Sequence, residues 1–266
     1  GDPQKTPPRP AEITTPPEFD WLKFVEQEEI LTVTLQDDNK FGFDGHLDAN
    51  GHLTSEMKDQ CVRELNKAMY WQDTVHQFQS KAHFDNCAIE DGLSYIQELV
   101  SEAERHLQKS TPVKKEDALK AAFALGQALH AIQDFYAHSN YVELMVEKHD
   151  TFDNVQIVPA WLDEGQESLL EMANNGLHSG SVWWGLPQYC PSTVPSHGTL
   201  AKDSAKTDAG SIIIDKWEAM NQFQLARDLA SQASLEFLQD MYARMPLEPI
   251  CGNNISFAVL TDNRGL

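Results

Sequence analysis

Apolar residues recur at helical spacing along most of this 266-residue chain. Spacing of i, i+3, i+4 and i+7 is typical of helices that bury one face. The pattern predicts helices over residues 55–80, 88–109, 112–141, 163–174 and 207–245. Residues 36–51 and 176–203 are rich in residues that favour turns, and we expect them to be loops.

Two segments leave room for a little β structure. Residues 30–35, ILTVTL, predict a short strand or the end of a helix, and residues 251–266 predict an edge strand or an ordered tail. Residues 1–17 are rich in Pro and Thr, which predicts a flexible tail. The sequence contains no internal repeat and no clear linker. Residues 18–266 are therefore expected to form a mainly α, single compact helical domain with a short β element at most.

The helix over residues 121–141 carries the most informative polar residues. His130, Asp134 and His138 are four residues apart, so their side chains lie on one face. No charged residue interrupts positions 121–133, which predicts that most of this helix is buried. A buried charge needs a partner. A single histidine on an apolar face is usually a hydrogen-bonded core residue, but a His/Asp/His triplet also fits a metal ion.

Other His and Asp residues could complete such a site. The additional candidates are Asp73, His83, Asp85, His197 and Asp203. The set offers imidazole nitrogens and carboxylate oxygens without a thiolate. Such ligands favour Zn²⁺ or a related divalent ion over an iron–sulfur cluster.

Composition narrows the range of partners. The chain has 41 acidic and 20 basic residues, for a formal net charge of −21. That balance disfavours nucleic acid and anionic membranes as partners. No apolar stretch approaches the roughly 18–20 residues that span a bilayer. The first residues lack the basic and apolar regions of an intact signal peptide.

Two further features leave alternatives open. Cys61, Cys87, Cys190 and Cys251 could form two disulfides in any of three pairings, or remain free in the core. Residues 44–56, DGHLDANGHLTSE, resemble an EF-hand loop in part, but Met57 would stand where the final glutamate belongs. We therefore expect a solvated turn there, with Ca²⁺ as the alternative ligand.

The polar motifs resemble a known group of proteins. LGQALHAIQDFYAHSNYVE, with AHFDNC before it and SHGTLAKD after it, is similar to the Het-C family, named for a fungal heterokaryon-incompatibility protein. That family is related to the superfamily of zinc-dependent phospholipases C and single-strand nucleases. The resemblance covers roughly residues 53–203. It implies a compact helical domain with a cluster of up to three zinc ions in a cleft.

The resemblance also implies roles for individual residues. His130 would bind the first metal, and Asp134 would bridge two metals. Asp73 and His83 would be further ligands of the first site, with Asp85 as an alternative. The second site would be formed by His138, His197 and Asp203, with His178 as a weaker competitor for His197.

The chain also departs from the superfamily pattern. His138 follows Asp134 by four residues, where six are usual. The segment FVEQEEIL has Gln27 or Glu28 where a histidine of the third metal site is expected. The sequence therefore predicts two zinc ions, with a third as the alternative if Asp44 or His46 replaces the missing ligand.

The leading hypothesis is a zinc-dependent phosphoester hydrolase, similar to phospholipase C. Two metal ions about 4 Å apart can hold a phosphodiester and activate water. Asp73 or Asp85 would orient that water or act as a base. A phospholipid or another small phosphoester is the expected substrate, and four aromatic residues could line an apolar cleft for it, or belong to the core: Trp161, Trp183, Trp184 and Tyr189.

The alternative is a catalytically weak or inactive Het-C-type module, for binding or toxin-like action, that retains a structural metal. A closed metal site would favour this alternative, whereas an open coordination position would favour catalysis. The family resemblance and the acidity favour a secreted or periplasmic protein. The oligomeric state is not predicted by any feature of the sequence.

Overall fold

The computed structural model describes residues 31–35, 55–155, 161, 164–182, 190–217, 220–245 and 255–259. These residues include eight α-helices and two short antiparallel strand pairs. In chain order they are β1 (Leu31–Leu35), α1 (Ser55–Val75), α2 (Ser80–His83), α3 (Ile89–Leu107), α4 (Lys115–His138), α5 (Tyr141–Lys148), α6 (Glu164–Asn174), α7 (His197–Leu200), β2 (Ile213–Ile214), β3 (Met220–Asn221), α8 (Gln222–Arg244) and β4 (Ile255–Val259). The prediction of a mainly α fold is confirmed.

Helix α4 lies at the centre, and α1, α3 and α8 pack around it. It is buried on nearly all sides, as the absence of charge over residues 121–133 predicts. Small residues allow the close packing. A Cβ added to Gly126 would lie 2.4 Å from the backbone oxygen of Leu65 on α1. The two helices therefore approach each other closely where α4 has no side chain.

Apolar side chains at helical spacing face α4 from its neighbours. On α3 these include Leu93, Ile96 and Val100, and on α8 they include Leu229 and Phe237. An aromatic cluster lies beside them, formed by Phe84, Phe135, Tyr136, Tyr141 and Trp161. Trp161 is thus a core residue and not part of a cleft wall. The other three aromatic residues proposed for the cleft lie outside the described residues.

The predicted last helix, over residues 207–245, starts too early. Residues 207–217 and 220–221 instead form turns and the antiparallel β2–β3 pair, and α8 begins at Gln222. The run Ile212-Ile213-Ile214 consists of β-branched residues, which favour strands. Asn221 then caps α8. Its side chain accepts a hydrogen bond from the Gln224 backbone N–H, and its own backbone N–H donates to the Gln224 side-chain oxygen.

The two ends of the described chain meet in an antiparallel pair. Strand β1 pairs with β4, with Leu31 opposite Val259 and Leu35 opposite Ile255. The strand alternatives for residues 30–35 and 251–266 are thus correct. Helix α1 ends at Val75, before the predicted position 80. The predicted tail over residues 1–17, the third-site positions and most of the EF-hand-like segment lie outside the described residues.

Two observations complete the outline. Cys87 and Cys190 form a disulfide, and Cys61 is also disulfide-bonded. The bonded alternative is therefore correct for these three cysteines.

Within the described helices, none combines the length and the apolar character that crossing a membrane requires.

Candidate metal centre

Four atoms from α1, α2 and α4 converge beside the aromatic cluster. The Nε2 atom of His130 lies 3.2 Å from Nδ1 of His83, 3.0 Å from Oδ2 of Asp134 and 3.3 Å from Oδ1 of Asp73. The Nδ1 atom of His83 is 2.7 Å from the same Asp134 oxygen. We call Asp73, His83, His130 and Asp134 the first group.

Helix packing sets the position of Asp73 in this group. The neighbouring residue Gln72 is buried, and it exchanges hydrogen bonds with the hydroxyl of Tyr95 on α3. Gln127 on α4 donates to the Gln72 side-chain oxygen at 3.1 Å. This network fixes α1 against α3 and α4, and the register brings Asp73 next to His130.

A tight turn directs His83 into the first group. His83 ends α2, and Phe84 follows in the left-handed conformation with φ of 52°. The Phe84 ring packs into the core against Gly92, where an added Cβ would lie 2.5 Å from the ring. The buried aromatic ring therefore anchors the turn, and His83 and Asp85 on either side of it point into the polar centre.

A second group lies next to the first. Nδ1 of His197 is 2.7 Å from Oδ1 of Asp85, and Nε2 of His138 is 2.9 Å from Oδ1 of Asp203. The rings of His138 and His197 have centroids 4.3 Å apart. Candidate ligand atoms of Asp85, His138 and His197 all lie within 4.8 Å of one another. We call Asp85, His138, His197 and Asp203 the second group.

Asp134 lies between the two groups. Besides its contacts to His83 and His130, its Oδ2 atom is 3.8 Å from Nδ1 of His138. That nitrogen also donates to the backbone oxygen of His83 at 3.4 Å, which turns Nε2 of His138 towards Asp203. All eight residues predicted from sequence are therefore brought together. Asp85 falls in the second group, although it was predicted as an alternative ligand of the first.

The competitor His178 belongs to neither group. Its Nδ1 atom bonds to the backbone oxygen of Gly176 at 2.9 Å, and its backbone N–H donates to Asn140.

The electrostatics of the centre favour a cation. Burial lowers the pKa of His130, but the charges of Asp134 and Asp73 outweigh burial and raise this pKa well above its ordinary value. Burial also lowers the pKa of His138, and Asp203 and Asp134 then raise it to about 10. Burial raises the pKa of Asp134, whereas His130 and His138 lower it well below its ordinary value. The carboxylates thus stabilise positive charge at both groups.

Each of the two groups has ligand atoms that could hold a metal ion. A tetrahedral zinc ion with ligand bonds of about 2.0–2.1 Å separates its ligand atoms by about 3.3 Å. The contacts within the first group, 2.7 to 3.3 Å, are close to this spacing. Two facing imidazole nitrogens at 3.2 Å are also explained if both lone pairs point at an ion. The four carboxylates of the two groups carry the charge that two divalent ions would neutralise.

Sequence reasoning missed the residues that hold the second group in place. Lys202 is 1% exposed, and its Nζ atom donates to Glu143 and to the backbone oxygens of Ser139 and Leu200. It fixes the chain immediately before Asp203. The Asn86 backbone, next to Asp85, donates to the backbone oxygen of Gly180, and Gly180 packs against the backbone of His197. A lysine next to a predicted aspartate ligand was the only available signal for the first of these.

Comparison with known families gives one partial similarity. A family model described as the VWA7 N-terminal domain matches residues 46–155. This segment is less than half of the chain. It contains the complete first group, together with Asp85 and His138, and it ends before His197. The curated proteins and the solved structures gave no match. The matched model is not that of the Het-C or phospholipase C families, so that resemblance stays a prediction.

Proposed function

We propose that this protein is a metal-dependent phosphoester hydrolase, similar to phospholipase C, in which each group takes one zinc ion. The observation that carries the proposal is the pair of adjacent His/Asp groups with Asp134 between them. A buried structural metal needs one closed set of ligands, whereas two linked sets suit the clamping of a phosphodiester. The Het-C resemblance supports the same reading.

The centre is accessible to solvent at two of its carboxylates. The side chain of Asp73 is 44% exposed and that of Asp203 is 52% exposed, although the histidines between them are largely buried. A substrate could therefore approach past these two carboxylates. An accessible centre supports catalysis over a purely structural role.

The two predicted catalytic aspartates differ in environment. Asp73 faces solvent and lies 3.3 Å from His130, so it can orient a water molecule or accept its proton. Asp85 is only 4% exposed and is paired with His197. We therefore propose that Asp73 acts as the base as well as a ligand of the first group, and that Asp85 is a ligand alone. The ions, when bound, would neutralise the phosphoryl charge and lower the pKa of water.

The substrate we propose is a phospholipid or another small phosphoester. The formal net charge of −21 disfavours long nucleic acid, since polyanions are repelled. The Cys87–Cys190 disulfide supports a secreted or periplasmic location, because disulfides persist in oxidising compartments.

Metal content tests the proposal first. The protein is purified without a metal-affinity column, and bound zinc is measured by mass spectrometry for wild type, His130→Ala and His178→Ala. We expect two zinc equivalents in wild type and in His178→Ala, whose histidine lies outside both groups. His130→Ala should lose at least one equivalent, because Nε2 of His130 contacts three other donor atoms of the first group.

Hydrolytic activity is then measured with bis(4-nitrophenyl) phosphate and with phosphatidylcholine in detergent micelles. We expect zinc-dependent hydrolysis that falls at least about a hundredfold in His130→Ala, since even outer-shell changes cost 10–100-fold. Two bound ions without hydrolysis of either substrate would argue for the non-catalytic binding module. One ion or none would overturn the two-metal centre itself.

A further inference from the structure

A short segment, residues 179–182, contacts every chain segment that carries a histidine or buried aspartate of the second group. The Gly180 backbone N–H donates to the backbone oxygen of His138 at 3.0 Å. The backbone oxygen of Gly180 accepts from Asn86, which follows Asp85, at 2.8 Å. The backbone N–H of His197 donates to Ser181 at 2.8 Å. One short segment thus holds three ligand-bearing segments that are distant in sequence.

Side chains and a disulfide reinforce these backbone bonds. The Asn86 side-chain oxygen accepts from the Val182 backbone at 2.7 Å, and the Cys87 backbone donates to the Ser179 hydroxyl at 2.9 Å. The Cys87–Cys190 disulfide then joins the segment after Asp85 to the chain that leads to His197. The chain segments of Asp85 and His197 are therefore each hydrogen-bonded to segment 179–182, and the disulfide links these two chain segments to each other.

Gly180 determines how closely His197 approaches. A Cβ added to Gly180 would lie 2.3 Å from the Cα of His197 and 2.7 Å from its backbone nitrogen. Both are backbone atoms, which cannot rotate away as the end of a flexible side chain can. Alanine at this position would displace the backbone that carries His197. Gly198, immediately after His197, has nothing within 4 Å of an added Cβ.

We propose that segment 179–182 positions the second metal site, with Gly180 as its positioning residue. The proposal rests on the two-metal centre proposed above. The first group has a different support, because Asp73, His83, His130 and Asp134 are carried by α1, α2 and α4. Gly180→Ala should therefore weaken one metal site and spare the other, which a general loss of stability would not do.

The test is a metal titration of the full chain. Metal-free wild type, Gly180→Ala and Gly198→Ala are titrated with Zn²⁺ by calorimetry, and with Co²⁺ by visible absorption. We expect two ions in wild type and in Gly198→Ala. In Gly180→Ala the ion at the second group should bind at least about tenfold more weakly than in wild type. The Co²⁺ absorption of the first site should remain, which reports an intact first group independently of activity.

The outcomes separate this inference from the proposed function. Wild type that binds fewer than two ions would overturn the two-metal centre. Wild type with two ions and Gly180→Ala with unchanged affinity for both would overturn the role of segment 179–182 alone.

A second variant covers the case in which Gly180→Ala does not fold. Asn86→Gly removes the acceptor for the Val182 N–H and tolerates the positive φ of 55° at this position. The Asn86 amide also donates to the Ser80 hydroxyl at 2.8 Å, at the start of α2. We therefore expect this variant to weaken metal binding at the second group at least about tenfold, and at the first group by less. Equal affinity for both ions in this variant and in wild type would contradict the inference.

Discussion

The first group is built on helices, whereas the second is built largely on loops. Asp73, His130 and Asp134 lie on the long helices α1 and α4, and His83 ends the four-residue helix α2. In the second group only His138 lies on a long helix. Asp85 and Asp203 lie in irregular segments, and His197 begins a helix of four residues. Neighbouring centres in one protein thus have different structural supports.

This difference has a thermodynamic consequence. Helix α4 is part of the core, so opening the first group requires disruption of buried apolar packing. The second group can open when the irregular segments around residues 180 and 197 separate, where the side chain of His197 is already 31% exposed. Regions with little buried surface open at lower free energy than core helices. We therefore expect the second site to release its metal more readily than the first.

Asp134→Asn is the change with the largest expected effect, because it removes the charge that the two groups share. Its Oδ2 atom is within 3.8 Å of His83, His130 and His138. Asparagine keeps the shape but loses the negative charge that stabilises a cation. We expect the affinity for both zinc ions to fall, by at least about a hundredfold at the first group. Calorimetric titration with Zn²⁺ measures both sites.

Asp153→Asn provides the matched control, since Asp153 is exposed and lies outside both groups. It should bind two ions with wild-type affinity. If Asp134→Asn lost only one ion and kept the other unchanged, the two groups would be independent, and Asp134 would not link them.

Removal of the Cys87–Cys190 disulfide should have the next largest effect on zinc affinity, and only at the second group. Cys87→Ser combined with Cys190→Ser opens a link between residues 103 positions apart. Loss of a native disulfide commonly costs about 2–5 kcal/mol of stability. We expect that loss in chemical denaturation, together with a second ion that binds at least about tenfold more weakly. Equal weakening of both ions would show that the two groups do not differ in support.

The first group was easier to predict because helical spacing carries its information. His130 and Asp134 are four residues apart in an uncharged stretch, so the sequence alone places them on one buried face. The assembly of the second group depends on contacts between residues that are far apart in the chain. Gly180 was recognised only as a loop residue, because nothing local indicates that its missing Cβ admits the backbone of His197.

The same principle explains the error in the last helix. Apolar residues over positions 207–221 occur at a spacing that also suits a helix, but Ile212 to Ile214 favour extended structure. The capping residues Asn221 and Gln224 mark the true start, and their significance depends on the chain turning before them. Local pattern therefore predicted the core helices and the loop over residues 176–203, but not the contacts that hold this loop in place.

The pH dependence of the metal-free protein gives the smallest and most selective effect. The pKa of His138 is raised from its ordinary value of 6.5 to about 10, since Asp203 and Asp134 outweigh the opposing effect of burial. A raised histidine pKa contributes stability that is complete below pH 6.5 and is lost as the pH rises towards 10. We expect the free energy of unfolding, measured in chelator by chemical denaturation, to fall across this window.

Asp203→Asn sharpens this prediction for the second group. Asp203 makes the largest contribution that raises the pKa of His138, so its removal should lower that pKa and shift the loss of stability to lower pH. The effect should be small, because the Asp203 side chain is 52% exposed and water screens its charge. His130 in the first group keeps its own partners, so part of the pH dependence should remain. Identical curves for wild type and Asp203→Asn would show that Asp203 does not raise the pKa of His138.

With zinc bound, the free energy of unfolding of wild type should instead increase as the pH rises. Metal ligation requires neutral imidazoles, so zinc binds more strongly at higher pH.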